Sequence, residues 1–219
     1  VTSLVIIGAG DHGRVMADVA AAIGRSPIGF VQPPDADASA GEVDGLPVLG
    51  RLGDSALAAR LPADLEFCVA IGSNGARAHA YEAALRLGWR AVSLVHPSAV
   101  LLGQSVIEAG SQVCAGAVIG VAAVILEDSI INTAASVDHD NRIGPHAFVG
   151  PGARLAGRVT VLDGAHVGIG ATVREGCTIG ARAYVAAGAT VVQDVAPGMR
   201  VAGVPARPMD PEGAAPEEA

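Results

Sequence analysis

Between residues 101 and 191 an aliphatic residue recurs at every sixth position without a break, from Leu101, Ile107, Val113 and Ile119 to Val185 and Val191. Four places after each stands a mostly small residue, such as Ser111, Ala117, Ala135, Ala153, Ala171 or Cys177. This period matches neither the helical repeat nor the strand alternation. It is the hexapeptide repeat of a parallel β-helix: one short strand and one corner per hexad, three hexads per triangular coil, the aliphatic residue inside and the small one where the coil narrows. A single coil buries too little to stand alone, so stability comes from stacking. The glycines directly after an aliphatic residue (Gly120, Gly144, Gly150, Gly168, Gly180) are expected at the corners, as residues that adopt positive φ cheaply. Outward positions one coil apart stack, which places Phe148, His166 and Tyr184 in one column. That column reads as a packing surface for a symmetric partner. No long insertion interrupts the hexads, so a cleft has to be completed by a neighbouring subunit and by the segment ahead of the repeat.

Residues 1–95 follow another pattern. Leu4-Val5-Ile6-Ile7, Ile28 to Val31, Phe67 to Ile71 and Ala91 to Val95 read as strands, and Arg14 to Ile23 and Ala76 to Leu87 as helices. Strands alternating with helices predict a small Rossmann-like parallel α/β domain, followed by the β-helix over 96–208 and a disordered tail over 209–219. Gly8-Ala9-Gly10-Asp11-His12-Gly13 fits G-x-G-x-x-G between a strand and a helix, where backbone N–H groups approach a phosphate at a helix N-terminus. The acid that would hold a dinucleotide's ribose is missing after the second strand, where Gln32-Pro33-Pro34 stands and Asp35 comes late. A phosphate cradle, an NAD site and a purely structural glycine turn all remain open on these residues. Arg14 and Arg77 are possible phosphate partners or ordinary residues of a solvated helix face.

Composition narrows the chemistry. A net charge of −8 argues against nucleic acid or an anionic membrane as partner, and no apolar run is long enough to span a bilayer. Neither a basic flank nor a signal-peptide pattern opens the chain, and Cys68, Cys114 and Cys177 lack metal-ligand spacing, so a reduced, cytoplasmic setting is expected. Every basic residue is Arg, which excludes Schiff-base chemistry on a lysine.

The glycine turn, Ala70-Ile71-Gly72-Ser73-Asn74, Val95-His96-Pro97-Ser98-Ala99, Ile131-Asn132-Thr133 through His139-Asp140, and Val201-Ala202-Gly203-Val204-Pro205-Ala206 occur in order. Together they resemble the bacterial sugar O-/N-acyltransferases of the sialic-acid O-acetyltransferase type, whose best-understood branch N-acetylates nucleotide-linked 4-amino-4,6-dideoxysugars. The resemblance implies a left-handed β-helix, a homotrimer, acetyl-CoA between subunits and a nucleotide-sugar, UDP- or GDP-linked, in the small domain. It assigns Gly10, Asp11, His12 and Gly72 to the substrate. Gln32 and Pro33 stand where relatives carry a pair of acids against the nucleotide, a departure that leaves the base open. It makes His139 the general base, with Asp140 fixing its tautomer. Ile169 and Ala187 would contact the cofactor through their backbones. Gly157, one coil below His139, offers a backbone N–H for the thioester oxygen. Relatives often carry a second histidine where this chain has Phe148, which is expected to pack on the pantetheine arm instead.

Residue types alone leave rivals. O-acetylation of a sialic-acid-like sugar could use the same apparatus. A non-catalytic or zinc-dependent β-helix is a different class, yet His139, His146 and His166 are not spaced at whole coils as three zinc ligands would be, and no metal is expected. His146 and His166 could approach the cofactor or serve only as surface residues.

Overall fold

The computed structural model describes residues 3–36, 41–58, 60–62 and 64–209; the tail expected to be disordered lies, beyond Met209, outside the described residues. The chain divides into two compact units, the first ending at Pro97 and the second beginning at Ser98.

In the first unit, β1 (Leu4–Ile7) is apolar at every position and wholly buried, as a central strand covered on both sides must be. It pairs in parallel with β2 (Gly29–Gln32) on one side and β5 (Glu66–Val69) on the other. Helices α1 (Asp11–Ala22) and α3 (Asn74–Arg86) follow β1 and β5, and a single-turn α2 (Ser55–Ala58) precedes β5. Strand β6 (Arg90–Ala91) extends the sheet beside β5. The core joins Val5, Ile7, Val31, Phe67 and Val69 to Ala80, Tyr81 and Ala84 of α3 and to Trp89. Beyond β2 the sheet carries an antiparallel pair that the periodicity does not reveal: β3 (Gly41–Val43) and β4 (Leu46–Arg51). Its turn is Asp44-Gly45, both residues at positive φ, the dipeptide expected of a tight hairpin. Interrupted by glycine and proline and only half-buried, the pair lacks an alternating apolar signal. The sheet is therefore mixed, in the order β3-β4-β2-β1-β5-β6.

The second unit is a parallel β-helix of two-residue strands stacked in three faces. In the strands from Val100–Leu101 to Thr190–Val191 the first residue points out and the second in, and partners lie one coil apart, as in Ser136↔Arg154 and Val137↔Leu155, while Arg200–Ala202 and the antiparallel Arg207–Pro208 close the stack. From Val113 to Val191 the inward aliphatic residues are buried. Leu101 is not: it stands 45% exposed, with Ile107 half-buried, because the first hexads end the stack. The hydroxyls of the buried Ser111 and Ser129 donate to the carbonyls of Leu126 (2.8 Å) and Gly144 (2.6 Å), so neither hydroxyl is left without an acceptor.

The glycines named above serve another purpose than the one expected. From Leu101 to Val185, positive φ falls on the third residue after each aliphatic one, whether glycine (Gly116, Gly152, Gly164) or not (Ala134, Asp140, His146). Gly120, Gly144, Gly150, Gly168 and Gly180 do not have positive φ; they face the backbone of the next coil at close range. A Cβ on Gly120 would come within 2.4 Å of the Asp138 carbonyl carbon and 2.5 Å of the His139 nitrogen. These positions are glycine because coils approach too closely for any side chain.

Candidate active site

His139 and Asp140 occupy the corner that links the face containing Ser136 and Arg154 to the face containing Arg142 and Thr160. Asp140 takes the positive-φ position, φ 58°. That left-handed bend carries its carboxylate back onto the preceding ring: Nδ1 of His139 lies 2.8 Å from Oδ2 of Asp140. The carboxylate accepts, so the Nδ1 proton is held there and Nε2 keeps its lone pair. Asp138 fixes the corner from the other side, its Oδ1 accepting the His139 N–H at 2.7 Å. Backbone bonds bind the corner to both neighbouring coils, Asp140 N–H to the Val121 carbonyl (2.9 Å) and Arg158 N–H to the His139 carbonyl (2.9 Å).

Gly157 lies directly beneath. A Cβ there would stand 2.4 Å from His139 Nε2 and 2.5 Å from Cε1, so the imidazole rests on the bare glycine. Gly157 is buried beneath the ring, and the first service of its missing side chain is steric. Asn141, next after the pair, takes a place that is small in most hexads. It is buried, and its Oδ1 accepts the Val159 N–H, which shapes the very turn that contains Gly157. Asp138 and Asn141 were legible only as polar residues in the hexad; their roles depend on contacts one coil or one residue away.

Phe148, Ile169 and Ala187 are elsewhere on the prism. Phe148 stacks on His166 at 4.6 Å between centroids, His166 on Tyr184 at 4.9 Å, and the Arg200 guanidinium caps the column 4.4 Å above the Tyr184 ring. The rings stack along the axis, so they present edges outward rather than faces. Ile169 and Ala187 stand exposed at the corner between that aromatic face and the Arg154 face. Within one chain, the His139–Asp140 pair and these residues lie on different edges, with Phe148 on a face that does not adjoin the His139 corner. Along the Arg154 face runs a groove of about 280 Å³, lined mainly by apolar atoms of Leu102, Val118, Gly120, Val137, Leu155 and Ala156, with Ser136, Asp138, Arg154 and Thr172 as polar members.

His146 meets neither of these. It is largely buried, and its Nδ1 lies 2.8 Å from Oδ2 of the fully buried Asp128, one coil above. Burial pushes the Cys114 thiol up to about 11 and raises that of Cys177, which makes both poor nucleophiles. Among the described residues no cluster of His, Cys, Asp or Glu could hold a metal ion, and no helix is long and apolar enough to cross a membrane.

In the first unit, two glycine-containing turns leave adjacent strands, Gly8-Ala9-Gly10 after β1 and Ile71-Gly72-Ser73 after β5. They enter α1 and α3 on either side of the point where the strand order reverses, the place where open α/β sheets bind ligands. Gly8 and Gly13 are demanded by packing: a Cβ would come 2.6 Å from the Ala70 carbonyl oxygen and 2.1 Å from that of Gly8. Gly10 and Gly72 are exposed with open space before them, leaving backbone accessible to a ligand. Asp11 is exposed and His12 half-buried in the first turn of α1, while Gln32 and Pro33 are half-buried at the end of β2. Neither arginine is a free phosphate ligand. Arg77 is fully buried and braces the second turn, donating to the Ile71 carbonyl (3.0 Å) and Asn74 Oδ1 (2.9 Å). Arg14 is drawn to Asp44 of the β3–β4 hairpin at 2.6 Å, and the carboxylates of Asp44 and Asp11 hold its charge more firmly still.

Residues 3–84 match the PglD N-terminal domain. Over 96% of this chain and 98% of the other, the fold is similar to PerB of Caulobacter crescentus, solved with CoA and GDP-perosamine, at 37% identity and a TM-score of 0.89. The acetyltransferase domain of PglB from Neisseria gonorrhoeae, solved with acetyl coenzyme A, is 37% identical over 94% of this chain and 98% of its own, with a TM-score of 0.85. The chain belongs to the hexapeptide-repeat sugar N-acetyltransferases. WeeI from Acinetobacter baumannii shares the fold at 24% identity, covering 95% of this chain and all of its own with a TM-score of 0.86. A comparison with curated protein sequences gives no match. Membership makes this chain an acetyltransferase with acetyl-CoA as cosubstrate. In such an N-acetyltransferase the corner at His139 offers what acyl transfer to an amine needs: an imidazole with one nitrogen tied and the other carrying a lone pair.

Proposed function

We propose that this protein transfers the acetyl group of acetyl-CoA directly to the 4-amino group of a GDP- or UDP-linked 4-amino-4,6-dideoxyhexose. The observation that carries the reading is the His139–Asp140 pair, 2.8 Å apart, with Nε2 free above Gly157. The sugar amine attacks the thioester carbonyl carbon while Nε2 takes its proton. The tetrahedral intermediate collapses, the C–S bond breaks, and the imidazolium returns the proton to the departing thiolate. Asp140 holds the ring in the productive tautomer and stabilises the transient imidazolium. The Gly157 N–H has no acceptor among the described residues and is the candidate donor for the oxyanion.

The exposed backbone at Gly10 and Gly72 receives the nucleotide, with Asp11, His12, Gln32 and Pro33 around it. The groove on the Arg154 face accommodates an extended, largely apolar arm such as pantetheine. Ile169, Ala187 and Phe148 complete the cofactor site from a neighbouring subunit of a trimer. The binding of GDP-perosamine and CoA by a 37% identical relative supports this choice of substrates.

The test is a screen for CoA release with GDP- and UDP-linked 4-amino-4,6-dideoxyhexoses and free sialic acid as acceptors. N-acetylation of a nucleotide-linked amino sugar is the expected result. Turnover of sialic acid alone would overturn it.

A further inference from the structure

Arg77 stands apart from the helix that carries it. The other buried residues of α3 are Ala80, Tyr81 and Ala84, which join the apolar core. An apolar residue at 77 would complete that face. Instead a guanidinium is fully buried there, a placement that costs stability unless its hydrogen bonds are met. Three of them go to the turn ahead of the helix: Nη1 donates to the carbonyls of Ile71 (3.0 Å) and Gly72 (3.5 Å), and Nη2 to Asn74 Oδ1 (2.9 Å). A trans peptide unit is planar, with its C=O and N–H pointing opposite ways. Two successive carbonyls drawn inward therefore turn the next two N–H groups, those of Gly72 and Ser73, outward. Both residues are exposed, and among the described residues neither N–H has an acceptor.

We infer that Arg77 is a positioning residue for the nucleotide sugar, aiming the Gly72 and Ser73 N–H groups at one phosphate of its diphosphate. The inference rests on the reading that the nucleotide lies at Gly10 and Gly72. The arginine does not touch the ligand. Its planar fork sets the direction of both peptide units at once, and its buried charge adds positive potential behind them. Two adjacent N–H groups over a buried cation are the complement of an anionic oxygen.

The experiment measures kcat, the KM of each substrate, the Kd of the free nucleoside diphosphate and the melting temperature in four variants: Ser73→Ala, Ser73→Pro, Arg77→Lys and the double variant Arg77→Lys/Ser73→Pro. Ser73 sits at φ −65°, the value proline imposes, so Ser73→Pro deletes the N–H at a compatible backbone angle. Ser73→Ala lacks the same hydroxyl, which accepts from the Ala76 N–H, and keeps its own N–H. The nucleotide-sugar KM and the nucleoside diphosphate Kd should be about tenfold higher in Ser73→Pro than in Ser73→Ala, with kcat and the acetyl-CoA KM alike in both. Arg77→Lys keeps the charge but loses the fork, and should raise the same two constants severalfold. In the double variant the loss should fall short of the product of the single losses, because the deleted donor is already misaimed. Should Arg77→Lys fail to fold, Asn74→Ala takes its place, since it removes one acceptor from the guanidinium and leaves the apolar core intact. Equal constants in Ser73→Pro and Ser73→Ala, losses that multiply, or a lower melting temperature in Arg77→Lys with both constants unmoved would overturn the inference while leaving N-acetylation in place. No turnover of a nucleotide-linked amino sugar by the wild type would remove the underlying reading as well.

Discussion

At the residue scale, the proposed site is a tied imidazole on a glycine seat, and each part has a separable consequence. Asp140→Asn keeps a residue tolerant of the left-handed conformation, φ 58°, so the corner should survive. Its amide can offer a hydrogen to Nδ1 and so favour the wrong tautomer. A fall in kcat of about ten- to a thousandfold with little change in thermal stability is expected, smaller than the loss from removing the base itself. Gly157→Ala is the sharper steric test, because its Cβ would sit 2.4 Å from Nε2. The ring must swing away, so kcat should fall at least tenfold while the KM for the nucleotide sugar holds, provided circular dichroism shows the β-helix intact. Wild-type kcat in Gly157→Ala would mean that the ring does not depend on this seat. The pair itself was readable from sequence, as was the vertical relation of positions 139 and 157. The roles of Asp138 and Asn141 were not, since each depends on which atom a neighbouring residue or coil presents.

At the scale of elements, the hexad period fixed strand positions and stacking register across most of the second unit. The reason is physical: each inward aliphatic residue must meet its equivalent one coil away. What the period could not convey was why glycine follows some of those residues, because close approach and positive φ leave the same letter in a sequence. The two uses differ in cost. Gly120→Ala drives a Cβ against the backbone of Asp138 and His139, whereas Gly152→Ala meets open space and only a positive φ. The first should lower the melting temperature substantially, with a loss of at least about 3 kcal/mol. The second should cost about 1 kcal/mol. Equal losses in thermal melts would contradict this distinction. In the first unit, strands and helices with strong apolar runs were legible to within a few residues. The β3–β4 hairpin was not, because Asp44-Gly45 joins short, half-buried segments with little alternation.

At the scale of the whole molecule, one chain sets its proposed cofactor contacts on separate edges. His139 lies at one corner and Ile169 and Ala187 at the next, a hexad apart, on the order of 15–20 Å along the face. A trimer in which one chain's His139 corner faces its neighbour's Ala187 corner unites them. Mixing subunits tests this: His139→Ala and Ala187→Trp homo-oligomers should each be nearly inactive, and co-expressed subunits should regain part of the wild-type activity. No regain from verified mixed oligomers would place each site within one chain. His139 is proposed to remove the proton from a nucleotide-linked sugar amine as it attacks acetyl-CoA. Its most direct test is the single-turnover rate of N-acetylation at saturating acetyl-CoA, wild type against His139→Ala. A loss of about 10²–10⁴ with acetyl-CoA affinity retained is expected; a variant within threefold of wild type would remove His139 from the proton transfer.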